Sequence, residues 1–238
     1  MTEALDSGGV GSPEPLECVA RIERASVENR VAHSLRTLIV RGDLPGGTPL
    51  VQRDLAQRLG VSQTPIRHGL AELERTGLVE VGDTGRRLVR RLTREDFEET
   101  YAARLGLEGL AARVGAAAVG PPELERMRGL YAELGRHARE QAVDDYLAAR
   151  WEFHATCYRA SGRARLVGEV ERLFWRSERY NRLVLSGSDR YRQSIGHYGD
   201  FLSACERGDG EGAEAVIHRS IRWAIDQIRG SLPSEAEQ

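Results

Sequence analysis

The sequence predicts a mainly α protein in two parts. A winged helix-turn-helix with a small β-hairpin wing occupies residues 26–92, and an all-α bundle of about six helices occupies residues 93–230. Three observations lead there. Val51 to Arg91 reads VQRDLAQRLGVSQTPIRHGLAELERTGLVEVGDTGRRLVRR, a helix, a turn, a helix and a basic hairpin in succession. Beyond Thr93 nothing alternates with period two. That second half is instead divided by Gly and Pro into long stretches rich in Ala, Leu, Glu and Arg, all good helix formers.

The elements follow in order. Residues 1–25 are rich in Gly, Ser, Pro and Glu and are expected as a mobile tail. Ser26 is the expected cap of a first helix, with Val27, Val31, Leu35 and Leu38 as its apolar stripe and Arg41-Gly42 as its end. The segment DLPGGTPL is read as a loop. Leu55 and Leu59 mark a short second helix stopped by Gly60. Ser62 caps the third, with Pro65 in its first turn, where a missing N–H costs little. On that third helix Ile66, Leu70 and Leu73 share the buried side, and Thr64, Arg67, His68 and Arg75 share the other. LVEV, the turn Gly82-Asp83-Thr84-Gly85 and RRLVRR then form the wing, which carries Arg86, Arg87, Arg90 and Arg91. The arrangement presents a polar, cationic helix face of the kind a major groove receives.

The stretch LAQRLGVSQTPIRHGLAELERTGLVEVGDTGRRLV resembles the DNA-binding domain of GntR-type transcriptional regulators. Their pattern runs L-A-x-x-L-G-V-S-x-T-P-V-R, then L-x-x-L-x-x-x-G-L-V, then a Gly-rich wing tip. The resemblance implies a palindromic double-stranded operator as partner. It also implies DNA contacts from Arg53, Gln63, Thr64, Arg67, His68, Thr84, Gly85 and Arg86. Arg67 is expected to read bases or phosphates and Arg53 to hold a phosphate. Gln63 stands where many members have Arg.

Composition fits this division. The 238-residue chain has a net charge of −2, so it is not a globally basic nucleic-acid binder. Between Arg30 and Leu92, however, 11 Arg stand against 6 acidic residues, a surplus of 5, and the remainder therefore carries −7. A basic module joined to an acidic one suits a DNA reader with a separate sensor. All 34 basic residues are Arg. The absence of Lys excludes both a P-loop Lys and a Schiff-base Lys, and with it the branch of such regulators fused to an aminotransferase-like domain. Cys18, Cys157 and Cys205 lack paired spacing, which suggests a reducing compartment and no disulfide framework. No apolar run approaches membrane-spanning length. The expected location is cytoplasmic, without a membrane partner.

In the second half, Thr93 with Asp96 resembles a capping box. Phe97, Tyr101 and Leu105 share a face of the helix that follows, and Gly120-Pro121-Pro122 ends it. Further helices are expected at about 123–141, 144–160, 165–185, 190–207 and 212–229, with Ser186-Gly187-Ser188 as a loop. Residues 231–238 are expected as a frayed tail.

Arg104 to Glu108, EFH at Glu152 to His154, His197, and His218 within AVIHRSI resemble the FCD branch of the same family over roughly residues 94–229. Six helices bring the chain closer to the vanillate-regulator subgroup. The resemblance implies a small carboxylate effector at a site that includes Arg104, His154, His197 and His218; Arg150, one turn before His154 on the same face, is expected to reach that site too, and the helical half is expected to offer the surface of a homodimer. The resemblance also implies a divalent metal, Zn, Ni or Mn, held by His154, His197 and His218. The turn near Asp209 would bring His197 and His218 to similar heights in an antiparallel hairpin.

The chain departs from the pattern in one respect. Metal-binding members carry an Asp one turn before the His of the F-H pair, and here that position is Arg150. Either three histidines hold a metal alone, or Arg150 replaces the metal's charge and meets the effector's carboxylate directly; the second is the leaning here. Arg104 is read either as a second anion receptor or as the partner of Glu108 at i+4.

Taken together, the residues and the resemblance point to an effector-controlled DNA-binding regulator, a repressor and not an enzyme. The alternative is a metal-dependent hydrolase in the helical half, weakened by the missing Asp and by the lack of a nucleophile–base pair. A purely architectural DNA-binding protein would have no use for a cavity carrying Arg and His.

Overall fold

The structure is a computed structural model. It describes the backbone of residues 18–185 and 190–229, and the side chains of 27–182 and 193–229. The expected C-terminal tail, the Ser186–Ser188 loop and most of the expected N-terminal tail lie outside the described residues. Among them the chain forms nine helices and one two-stranded sheet.

The first part is built from α1 (Cys18–Arg41), α2 (Gln52–Leu59), α3 (Gln63–Arg75), β1 (Val79–Val81) and β2 (Arg87–Val89). Helix α1 begins at Cys18, so Ser26 is an interior residue and not the expected cap. Gly60 closes α2 in the left-handed region, at φ 65°. Ser62 stands at the start of α3 with extended backbone, but its side chain makes no capping hydrogen bond. The stripe on α3 is as expected: Ile66, Leu70 and Leu73 are buried with Leu35 and Ile39 of α1 and with Leu78, Val79 and Val89. The helices cross closely at Gly69, where a Cβ would meet Val31 Cγ1 at 2.9 Å and Ala32 N at 3.3 Å.

The strands pair antiparallel, Val79 opposite Val89 and Val81 opposite Arg87. Gly85, at φ 72°, supplies the tight turn of the wing. The segment read as a plain loop does more than connect. Gly47 N donates to Val89 O at 2.7 Å, Val89 N to Thr48 O at 3.0 Å and Leu50 N to Arg87 O at 2.9 Å, so residues 47–50 line the outer edge of β2. Pro49 can sit within that pairing because only Thr48 O, Leu50 N and Gly47 N are used.

The second part contains α4 (Arg94–Ala116), α5 (Pro121–Glu140), α6 (Val143–Ala160), α7 (Ala164–Leu185), α8 (Arg190–Glu206) and α9 (Gly210–Arg229). Each lies within two residues of its expected bounds. Helix α4 packs against α6, α7 and α9, α5 against α6 and α8, and α8 against α9. The core is aromatic: Phe97, Tyr101, Tyr146, Phe153, Tyr158, Phe174, Tyr180 and Phe201 are all almost wholly buried. Buried Cys157 and Cys205 bring their sulfurs to 3.6 Å between α6 and α8.

The two parts meet at the start of α4. Thr93 Oγ1 accepts from Asp96 N at 3.1 Å, half of the expected capping box. The Asp96 carboxylate does not return to Thr93. It accepts instead from Arg90 Nη1 at 3.3 Å, Arg176 Nε at 3.0 Å and Tyr180 Oη at 2.9 Å. Tyr180 also lies 3.0 Å from Thr93 O, and Arg179 donates to Arg90 O. Helix α7 thus grips the joint between the wing and the bundle.

Candidate functional site

Two sites are separated by this joint. The first is the outer face of the winged helix. Gln63, Thr64 and Arg67 are exposed along α3, and Arg53 is exposed on α2. Thr84, Gly85 and Arg86 are exposed at the wing tip. A groove lined by Arg53, Gly85, Arg86 and Arg87 joins the wing to α2. Arg53, Arg67 and Arg86 form no ion pair among the described residues, which leaves their guanidinium groups to solvent or to phosphate.

Other basic residues predicted for this face are already engaged. His68 Nδ1 lies 2.6 Å from Glu28 Oε1 of α1, so one ring nitrogen is engaged although the side chain stays exposed. Arg75 is tied to Glu72, with Nη2 at 2.7 Å from Oε1. Arg87 Nε reaches Glu74 at 3.1 Å, and Arg90 reaches Glu80 and Asp96. Arg91 packs on Gly47, where a Cβ would meet its Nη2 at 2.8 Å. Of the four wing arginines, Arg86 alone is both exposed and without an acidic or packing partner among the described residues.

The second site is a cavity of about 40 Å³ between α4, α6, α7, α8 and α9. By volume it has room for a few waters at most. Its floor is charged. Arg104 Nε donates to Glu108 Oε1 at 2.5 Å and Nη2 to Oε2 at 3.3 Å. Arg150 Nη2 donates to Glu178 Oε1 at 2.6 Å. All four side chains are buried. Burial works against the charge on each Arg, yet Glu108 and Glu178 offset it, and both guanidiniums remain firmly protonated. Burial raises the Glu178 carboxyl above its ordinary range, despite Arg150 and Asn181.

Tyr146, whose hydroxyl lies 2.5 Å from Ser194 Oγ, adds polar lining together with Tyr198, Asn181 and Ser220. Ile217, Ile221, Trp223 and Ala224 give the α9 wall a largely apolar character. The Arg150 guanidinium lies over Phe174, 4.5 Å from the ring centre.

The structure brings Arg104, Arg150 and His154 together, as expected, but not the other two histidines. His154 is enclosed by Phe153, Tyr158, Tyr198 and Phe201, with ring centres 5.2–5.9 Å away. Burial, reinforced by Arg150 and Arg104, lowers its pKa well below the ordinary value, so the ring is neutral. His218 turns away and donates from Nε2 to Leu105 O at 2.9 Å. Gly109 makes room for it: a Cβ there would fall 2.3 Å from Nε2. His197 rests on the Trp223 ring at 5.8 Å and does not line the cavity. Antiparallel pairing of α8 and α9 constrains the heights of residues 197 and 218 but not the direction of their side chains.

Among the described residues no three His, Cys, Asp or Glu side chains are grouped to hold a metal. Of the three histidines expected to converge, only His154 lines the cavity, and there it stands beside the Arg150 guanidinium.

Several residues of the site were not anticipated: Asn181, Tyr146 and Tyr198 line the cavity, and Glu178 pairs with its lining residue Arg150. Glu178 and Asn181 lie in WRSERYNRL, which reads as a solvated polar run. The available signal was their place on the stripe Val167, Val170, Phe174, Glu178 and Asn181, which continues an apolar face into polar residues.

A winged-helix DNA-reading module locked to a helical domain with an internal charged cavity defines a two-domain transcriptional regulator. The model of the bacterial regulatory proteins of the gntR family matches residues 27–89, and that of the FCD domain matches residues 99–222. Over 202 residues the chain is 31% identical to a protein of Paenarthrobacter nicotinovorans named as a probable D-xylose utilization operon transcriptional repressor. That match covers 84% of this chain and 88% of the relative. Among solved structures, E. coli McbR/YncC shares the fold with a TM-score of 0.77 at 21% identity, over 86% of this chain and 98% of that one. A GntR regulator from Rhodococcus sp. RHA1 does so at 0.68 and 23%, over 87% and 100%. The chain belongs to the GntR family of transcriptional regulators and carries an FCD domain. No helix among the described residues is long and apolar enough to cross a membrane.

Proposed function

We propose that the cavity is the effector site, and that a small carboxylic acid bound there controls binding of a homodimer to a palindromic operator. One observation carries this reading: two buried guanidinium groups, Arg104 and Arg150, line a single cavity beside a neutral histidine. A carboxylate meeting such a group in a low-dielectric site forms a strong charge-assisted pair. The apolar α9 wall would receive the body of the acid, for which the cavity must widen beyond its present room for a few waters. The relative from P. nicotinovorans is named a probable repressor, which supports repression, in the cytoplasm, as the mode of action.

The test begins by selecting operator DNA from genomic fragments with the purified protein. Small carboxylates are then screened for release of that DNA. In Arg150→Gln the operator affinity, whatever its level, should no longer change when the active acid is added. A response that survives in Arg150→Gln would remove the cavity from the mechanism.

We further propose that the effector is bound without a metal, since a guanidinium stands beside His154 where a ligating carboxylate would be needed. Elemental analysis should find less than one equivalent of Zn, Ni or Mn. Tightly held stoichiometric metal would overturn this.

A further inference from the structure

Helix α7 faces two ways within two turns. On the cavity side, Glu178 Oε1 accepts from Arg150 Nη2 at 2.6 Å and from Asn181 Nδ2 at 3.0 Å, and Asn181 Oδ1 accepts from Tyr101 Oη at 3.0 Å. On the other side, Arg176, Arg179 and Tyr180 hold Asp96, Arg90 O and Thr93 O. Trp175 completes that side, lying 4.9 Å beneath the Arg36 guanidinium of α1. The residues that grip the DNA-binding domain are thus interleaved with those that face the cavity.

The two cavity ion pairs are unequal. Glu108 holds Arg104 through both oxygens and from the same helix, four residues away. Glu178 holds Arg150 through one oxygen and from a different helix. Its Oε2 has no hydrogen-bond partner among the described residues, although the residue is wholly buried. The pair is poorly satisfied, and a carboxylate with better geometry at Arg150 would compete with it. Breaking it removes the buried ionic tie between α6 and α7, at the height where α7 also holds Asp96, and leaves the more exposed Arg182–Asp144 pair between these helices.

We propose that Glu178 is the internal competitor for the effector, and that a carboxylate displacing it from Arg150 frees α7 and loosens its hold on the joint at Asp96. This rests on the reading that the effector binds Arg150, but it can be tested without any effector. An effector changes a two-state equilibrium only through a difference in contacts between the states. The Glu178–Arg150 pair, present in the empty protein and lost on binding, is that difference.

The experiment is hydrogen–deuterium exchange on the full chain, comparing wild type with Glu178→Gln and Glu108→Gln. Glu178→Gln keeps the shape and removes the charge, as displacement would. It should raise exchange in residues 90–100 and 174–182 roughly tenfold, while α5 and the α1–α3 core exchange as in wild type. Glu108→Gln removes an equally buried carboxylate that is not on α7 and should leave residues 90–100 unchanged.

Should Glu178→Gln fail to fold, Arg150→Gln breaks the same pair from α6 and should give the same pattern. Wild-type exchange at residues 90–100 in the Glu178 variant overturns the proposal. So does an equal rise with Glu108→Gln, which would mean general loosening of the bundle. Because no ligand is used, the result bears on the coupling alone, and the carboxylate reading stands or falls separately on the operator-release test of Arg150→Gln.

Discussion

His154 sits one turn from Arg150 inside a box of aromatic rings, and its depressed pKa has a consequence for stability. In the unfolded chain the imidazole protonates near 6.5, while in the folded protein it stays neutral. Below that pH the unfolded state binds more protons, so stability falls as the pH falls. Between about pH 7.5 and 5.5 this one group should remove about 1 kcal/mol. Urea unfolding of wild type and His154→Gln at the two pH values measures it. The variant should lose less stability than wild type on acidification, and parallel losses would show that His154 is not the group responsible.

Gly109 is the complementary case, a residue whose importance lies in what it lacks. A methyl group there would displace His218 Nε2 from Leu105 O. Gly109→Ala should lower stability by about 1–3 kcal/mol despite the better helix propensity of Ala. An unchanged denaturation midpoint would contradict the close packing of α4 on α9. On the DNA-reading face, Arg67→Ala should weaken operator binding by about 1–3 kcal/mol if the side chain pairs bidentately with guanine. A gel-shift titration at fixed salt checks this, and His68→Ala should matter less there because its ring is bound to Glu28.

At the scale of elements, legibility depended on whether local pattern decides the outcome. Helices α4 to α9 were legible almost to the residue, because Gly and Pro mark their ends and nothing in their stripes competes with a helix. The start of α1 was not. Ser26 looks like a cap, but nothing in the sequence obliges a Ser to end a helix when the preceding residues, from Cys18, can extend it. Residues 47–50 read as a loop because Pro and Gly dominate them, and their pairing with β2 is a tertiary choice. Arg150 was legible as a departure from a family pattern, whereas Glu178, its partner, was hidden in a stretch of charged residues. Ion pairs between helices far apart in sequence leave no spacing to read.

Thr93 is the element boundary on which both domains lean. Its hydroxyl accepts from Asp96 N and its carbonyl from Tyr180. Thr93→Ala should cost about 1 kcal/mol as a lost cap. Calorimetry should also show the transitions of the two domains moving apart if the cap helps to position Asp96.

For the molecule as a whole, the uneven charge read from the sequence corresponds to a division of labour in space. Arg53, Arg67 and Arg86 have no ion-pair partner among the described residues on the outer face of the winged helix, while the bundle uses buried Arg104 and Arg150 internally against Glu108 and Glu178. A single winged helix offers few base contacts, and a two-fold pair reading a palindrome doubles them. Light scattering at micromolar concentration should therefore report a dimer. A monomer with and without operator would count against the two-fold reading.

The Cys157–Cys205 pair adds a property of a different kind. Both thiols are buried, and Cys157 is pushed well above its ordinary pKa by its bond to Cys205 and by burial. A thiol that is neither exposed nor ionised is a poor target for oxidants and alkylating agents. Each becomes reactive only when α6 and α8 part, so the rate at which a maleimide labels them records how often the bundle opens. The sensor domain thereby carries its own clock for unfolding, one that a bound effector should slow.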